Sequence, residues 1–104
     1  MIRVFLVDDQ TLVRQGVRSL LELADGIEVV AEASDGKQAV EQIPLVKPDV
    51  VLMDMRMPVM SGLDALQALS KADALPPTII LTTFDDDQLV LAGIKYGAKG
   101  YLLK

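Results

Sequence analysis

Four consecutive apolar residues run directly into a single carboxylate, Asp54, and a turn containing Pro58, Ser61 and Gly62 follows. A strand that is buried on both faces has a continuous apolar sequence, so residues 49–53 are predicted to form a central strand of a parallel sheet. Open α/β sheets carry their chemistry at the carboxyl ends of their strands. The segment therefore predicts that Asp54 lies at a functional edge, and an aspartate that only caps the turn is the simpler alternative.

Four further segments have the character of strands, and they are residues 2–7, 27–33, 78–83 and 100–104. The segments at 2–7 and 78–83 are apolar in the middle, which indicates burial on both faces. The segment at 27–33 mixes apolar and acidic residues, which is typical of an edge strand.

Four helices are predicted between these strands. The first is amphipathic with about 12 residues, the second follows a cap at Ser34-Asp35-Gly36, the third is capped by Ser61, and the fourth begins at Asp85-Asp86-Asp87 and ends at Gly97. Pro44 is predicted to end or kink the second helix, because proline cannot donate the helical hydrogen bond. The residues predicted to face the core are Val13, Val17, Leu20 and Leu21, then Ala39, Val40 and Ile43, then Leu63, Leu66 and Leu69, then Leu89, Val90, Ala92 and Ile94.

Strand and helix thus alternate as βαβαβαβαβ, which predicts a doubly wound α/β fold with a five-stranded parallel sheet and helices on both faces. In the flavodoxin-like strand order 2-1-3-4-5, strands one and three are neighbours at the switch point. The 104 residues are enough for one domain and its core. The chain is therefore expected to be a single domain at 1–104.

Every predicted strand except the second ends in polar residues, which are Asp8 and Asp9, Asp54, Thr82 and Lys104. The three aspartates would share one crevice, where two carboxylates about 4 Å apart repel by roughly 4 kcal/mol at an effective dielectric constant near 20. A cation would offset this repulsion. The chain has no cysteine and no histidine, and a site with oxygen ligands alone favours a hard ion, above all Mg²⁺.

A hydroxyl from Thr82 and an ammonium group from Lys104, opposite the metal, would stabilise a phosphoryl group that arrives in line at Asp54. This pattern predicts aspartyl phosphorylation. Two other functions stay open. A phosphatase with a nucleophilic aspartate needs a second aspartate two residues later, where Arg56 stands. A flavin carrier needs a loop rich in Gly, Ser or Thr after the first strand, and its visible absorbance would reveal it.

Composition excludes several other classes of protein. The net charge of −5 argues against direct nucleic-acid binding by this domain, because neutralising phosphates requires clustered Lys and Arg. The apolar runs are only a few residues long, and the N-terminus lacks the features of a secretory signal. The chain is expected to be cytoplasmic and to bind no membrane.

The ordered set of motifs resembles the receiver domain of two-component response regulators. The matching features are Asp8-Asp9, the segment from Asp54 to Gly62, the strand Ile79-Ile80-Leu81-Thr82-Thr83, the stretch Gly97-Ala98-Lys99-Gly100-Tyr101, and Lys104. The resemblance implies that Asp54 accepts the phosphoryl group. It implies that Mg²⁺ binds Asp9, Asp54 and the backbone carbonyl of Arg56, with Asp8 completing the acidic pocket through water. It implies phosphoryl contacts from Thr82 and Lys104, and a switch role for Tyr101 together with Thr82.

The amino-acid sequence of the last two strands is most similar to the NarL/FixJ branch of the family. That resemblance implies a sensor histidine kinase or a small acyl phosphate as donor, self-phosphorylation and self-dephosphorylation as the only chemistry, and a C-terminal DNA-binding output domain that regulates transcription. Two features depart from the pattern: Thr83 stands where alanine is frequent, and a fifth helix after Lys104 is not present in these residues. A receiver domain truncated there is expected to self-associate, because an apolar side of strands three to five would lie open.

Overall fold

The computed structural model describes residues 1–82 and 87–103. The strands in this part of the chain are β1 (Ile2–Val7), β2 (Ile27–Ala33), β3 (Val50–Asp54), β4 (Thr78–Thr82) and β5 (Gly100–Leu103). The helices in the same residues are α1 (Thr11–Glu22), α2 (Gly36–Val46), α3 (Gly62–Lys71) and α4 (Asp87–Lys95). The predicted alternation is confirmed. The predictions for Thr83, Asp85, Asp86 and Lys104 lie outside the described residues.

The five strands pair in the order β2-β1-β3-β4-β5, and every pairing is parallel. This confirms the predicted order, with β2 at one edge. The pairing of Val7 with Met53, and of Asp54 with Leu81, brings the carboxyl ends of the three central strands to the same edge of the sheet. The strand order thereby places the ends of β1 and β3 side by side.

The core consists of two clusters, one on each face of the sheet. Successive side chains of a strand point to opposite faces, and in β1 Phe5 and Val7 belong to the larger cluster whereas Val4 and Leu6 belong to the smaller one. Helices α2, α3 and α4 pack on the larger cluster, and α1 packs on the smaller one. Within the described residues, none of the helices is long and apolar enough to cross a bilayer.

Most of the predicted core-facing positions are buried or packed against a cluster, but two are exposed. Leu20 is 70% exposed and Ile94 is also exposed. Each residue is rotated by about 100° from its neighbour around a helix. Since α1 contacts the smaller cluster through Val17 and Leu21, Leu20 turns away from the sheet. Ile94, near the end of α4, stays exposed because it lines an open groove between β4, α4 and β5.

Pro44 does not end α2, which continues to Val46. The proline lies in the last turn, where the missing N–H removes only one helical hydrogen bond. The helix ends at Lys47, whose φ of 53° is left-handed and whose N–H donates to the Ile43 carbonyl at 2.9 Å. The Arg3 guanidinium donates to the carbonyls of Lys47 at 2.7 Å and Val46 at 3.0 Å, so β1 supplies the cap.

The predicted helix caps at Asp35 and Ser61 are confirmed. A carboxylate oxygen of Asp35 accepts a hydrogen bond from the Gln38 N–H at 2.8 Å. The Ser61 hydroxyl accepts one from the Asp64 N–H at 3.1 Å. Both caps satisfy an amide that the helix itself leaves without an acceptor.

Candidate functional site

Asp54 is the last residue of β3 and is only 6% exposed. The apolar run before it forms the central strand because both faces of β3 are covered, by Val51 and Met53 in one cluster and Leu52 in the other. One oxygen of the Asp54 carboxylate accepts a hydrogen bond from the Arg56 N–H at 3.2 Å. The strand therefore delivers a nearly buried carboxylate to the carboxyl edge of the sheet.

The end of β1 supplies the second and third carboxylates. Asp8 is completely buried, whereas Asp9 is exposed. The Asp8 N–H donates to the Ala33 carbonyl of β2 at 3.1 Å, and its carboxylate accepts from the Gln10 N–H at 2.8 Å. The turn after β1 is thus held by the sheet on one side and by its own backbone on the other.

The structure brings Asp8, Asp9 and Asp54 together as the strand order predicts. One carboxylate oxygen from each residue lies within 4.8 Å of the others. Three such charges repel one another, and an all-oxygen donor set of this kind is suited to a hard divalent cation. The residues present therefore fit Mg²⁺, with the exposed Asp9 at the mouth of the cluster and the buried Asp8 and Asp54 behind it.

The segment between β3 and α3 packs closely against the end of β3. The Gly62 N–H donates to the Met55 carbonyl at 3.1 Å, and the Met60 carbonyl accepts from the Gly36 N–H at 2.8 Å. A Cβ at position 62 would lie 2.0 Å from the Asp54 carbonyl oxygen. Arg56 lies at the start of this segment and is exposed.

Thr82 and Tyr101 border the same groove. Thr82 is the buried last residue of β4, and it pairs with Leu103 of β5. The groove has a volume of about 410 Å³ and lies between β4, α4 and β5. Its lining residues are Thr82, Asp87, Val90, Leu91, Ile94, Tyr101 and Leu103. Tyr101 is 54% exposed, and Lys104, the other predicted phosphoryl contact, lies outside the described residues.

One contact to the acidic pair was not anticipated from the sequence. The Arg14 guanidinium donates to the Asp8 carbonyl at 2.6 Å and to the Glu32 carboxylate at 3.1 Å. Arg18 also donates to Glu32, and this hydrogen bond raises the pKa of the Arg18 guanidinium above its usual range. Neither arginine is among the predicted core positions of α1, and no local motif links α1 to a glutamate on β2.

Comparisons with known proteins agree with this geometry. A family model described as the response regulator receiver domain matches residues 4–104. The transcriptional regulatory protein YdfI of Bacillus subtilis is 45% identical over 98% of this chain and 47% of its own length. The nitrate/nitrite response regulator protein NarP of Escherichia coli is 50% identical over the same shares of the two chains. The chain thus spans about half the length of the curated relatives it matches.

Solved structures show the same similarity. The response regulator domain of Thermotoga maritima CheB matches with a TM-score of 0.93 and 30% identity, over all of this chain and 78% of that one. The signal receiver domain of the putative response regulator NarL from Mycobacterium tuberculosis matches with a TM-score of 0.90 and 36% identity, over 98% of this chain and 82% of that one. Because the family match includes each strand end that carries an aspartate of the cluster, the chain belongs to the response regulator receiver domains, and its relatives are regulators of the NarL and NarP type.

Proposed function

We propose that this domain accepts a phosphoryl group on Asp54 in a reaction that requires Mg²⁺. The observation that carries the proposal is the cluster of three carboxylates, with Asp54 at the end of a buried central strand and the other two facing it from β1. The closeness of these charges makes the site depend on a cation. A carboxylate held in this way can attack phosphorus while the bond from phosphorus to the leaving group breaks.

Asp9 and Asp54 would hold the Mg²⁺ together with the main-chain carbonyl of Arg56, and Asp8 would complete the pocket through water. When bound, the ion supplies positive charge to the carboxylate and the phosphoryl oxygens. A carboxylate oxygen of Asp54 becomes the oxygen that bridges carbon and phosphorus in the acyl phosphate, and the donor leaves with the electrons of the broken bond. The Thr82 hydroxyl and the Lys104 ammonium group donate hydrogen bonds to the phosphoryl oxygens.

The two residues at the groove would report the phosphorylated state. Thr82 borders the groove from the end of β4, and the Tyr101 ring borders it from β5. When the Thr82 hydroxyl turns toward a phosphoryl group on Asp54, its place becomes free for the Tyr101 ring. The proposed switch is this exchange, in which Tyr101 moves inward and changes the surface formed by α4 and β5.

The partners proposed for the domain follow from its relatives and from its chemistry. The donor would be a phosphohistidine of a sensor kinase or a small acyl phosphate. The output would be a DNA-binding domain, since several relatives are named transcriptional regulators and this chain spans only about half of their length. The domain would act in the cytoplasm. The position of Arg56, two residues after Asp54, argues against the phosphatase alternative, which needs an aspartate there.

The test is labelling with acetyl phosphate followed by intact-mass measurement. The wild-type chain is expected to gain the mass of one phosphoryl group with Mg²⁺ present and none after chelation. Asp54→Asn is expected to gain none, and Asp9→Ala to need more Mg²⁺ because it loses a ligand oxygen. Asp64→Asn is the matched control, since Asp64 is an exposed aspartate at the start of α3. The same mass gain in Asp54→Asn as in the wild type would contradict the assignment.

A further inference from the structure

We propose that Arg14 is a positioning residue that sets the Mg²⁺ affinity of the site by holding the peptide between Asp8 and Asp9. This inference rests on the proposed function, because it assigns Arg14 to the same metal site. Arg14 belongs to α1, and within the described residues its guanidinium bonds to the Asp8 main chain and to Glu32 instead of to a carboxylate of the cluster. Its effect would pass through the backbone of the turn after β1.

The Arg14 side chain links three elements. It starts from the first turns of α1, and only 17% of it is exposed. One terminal nitrogen donates to the Asp8 carbonyl at 2.6 Å, and the Nε donates to Glu32 of β2 at 3.1 Å. A planar guanidinium can make both bonds at once because its donors have a fixed geometry. Arg14 thus ties the end of β1 to the edge strand.

The acceptor of the Arg14 bond has a particular importance. The Asp8 carbonyl belongs to the planar peptide group that joins Asp8 to Asp9, so a bond to its oxygen fixes the orientation of that plane. The direction of the Asp9 side chain, which starts from the next Cα, depends on this plane. The Asp8 N–H is already held by Ala33. Arg14 therefore fixes the carbonyl of Asp8, whose N–H is already fixed by β2.

The charge of Arg14 and its position predict opposite effects on Mg²⁺ affinity when the arginine is removed. A positive charge near a cation site repels the cation, so its removal would by itself strengthen Mg²⁺ binding. Loss of the hold on the peptide would weaken binding, because a carboxylate ligand would have to be ordered when the ion binds. Lysine keeps the charge but cannot form the fork to Asp8 and Glu32 at once. The pair Arg14→Gln and Arg14→Lys therefore separates the two effects.

The experiment is a calorimetric titration of the 104-residue chain with MgCl₂, with thermal unfolding of every variant recorded alongside. Arg14→Gln and Arg14→Lys are both expected to bind Mg²⁺ about 10-fold or more weakly, the size of effect typical for residues that orient a ligand. The matched control is Arg3→Gln, which removes another guanidinium that donates to main-chain carbonyls, at the opposite end of β1. It is expected to lower stability and leave Mg²⁺ affinity unchanged.

Wild-type affinity in Arg14→Lys, or equal or tighter binding in Arg14→Gln, would overturn the inference. If Arg14→Gln does not fold, Arg14→Lys carries the test by itself, because it keeps the charge and loses the fork to Asp8 and Glu32. A wild-type chain that binds no Mg²⁺ would overturn the proposed function as well. The two failures are therefore distinguishable by the wild-type titration alone.

Discussion

Gly62 and Gly16 show how differently one residue type is used in this domain. A Cβ on Gly62 would lie 2.0 Å from the Asp54 carbonyl oxygen and 2.9 Å from the Met55 Cα, and backbone atoms cannot move aside without shifting the strand. A Cβ on Gly16 would have nothing within 4 Å. Gly16 lies in the interior of α1, where glycine is less favourable than alanine by about 0.5–1 kcal/mol.

Gly62→Ala is expected to lower the free energy of unfolding by about 1–3 kcal/mol, the usual range for overpacking, and to slow phosphorylation of Asp54 because the end of β3 must shift. Gly16→Ala is the matched control and is expected to raise the free energy of unfolding by about 0.5–1 kcal/mol. Urea denaturation checks both variants. A Gly62→Ala chain as stable and as readily phosphorylated as the wild type would contradict the tight packing at this position.

Helix α4 and strand β5 meet along the groove that Tyr101 borders, and this pair of elements is where the proposed switch would be visible. Tyr101 is 54% exposed, and Tyr96, just after α4, is also exposed, so both rings are open to a reagent in solution. Of these two tyrosines, only Tyr101 lines the groove with Thr82. Tyr96 therefore serves as an internal reference for the other ring.

Nitration by tetranitromethane is expected to modify Tyr101 more slowly after treatment with acetyl phosphate and Mg²⁺, because the ring moves into the groove when Thr82 turns toward Asp54. The rate at Tyr96 should stay constant, and Asp54→Asn should show no change at either ring. Peptide mass spectrometry reads the two sites separately. An unchanged ratio of the two rates in fully phosphorylated protein would exclude the inward movement.

The two faces of the sheet are covered unequally in the molecule as a whole. Three helices pack on one face, whereas α1 is alone on the other among the described residues and has no fully buried residue. Leu102 of β5 pairs in register with Leu81, which belongs to the α1-side cluster, so Leu102 points to that face. Leu102 and Leu20 are both exposed. Apolar side chains therefore lie open beside α1.

The 104-residue chain is expected to self-associate at micromolar concentration, because covering apolar surface is worth about 25 cal/mol per Å². Light scattering after size exclusion should give a mass above that of a monomer. The double variant Leu20→Lys with Leu102→Lys should shift it toward the monomer. Leu45→Lys, at an exposed leucine on α2, should not. A wild-type chain that is a folded monomer would show that α1 covers this face sufficiently.

Much of the fold was predictable because the apolar runs of β1, β3 and β4 are short, continuous and followed by polar residues. Buried strands impose that pattern locally, and each helix also carries its own periodicity, as in the spacing of Leu66 and Leu69. The predicted strand order was that of the flavodoxin-like doubly wound fold, which the alternation of strands and helices fits. The cluster of Asp8, Asp9 and Asp54 followed in turn, since parallel neighbouring strands end at the same edge.

Only the tertiary structure decided the contacts between residues that are distant in sequence. The exposure of Leu20 depends on which neighbours α1 meets, and the continuation of α2 past Pro44 accompanies a cap from Arg3 of β1. The Arg14 guanidinium likewise bonds to the Asp8 carbonyl after β1 and to Glu32 of β2. Periodicity records which side of an element is apolar. Periodicity does not show which polar side chain will contact the polar side of that element, because this contact depends on how the elements pack in three dimensions.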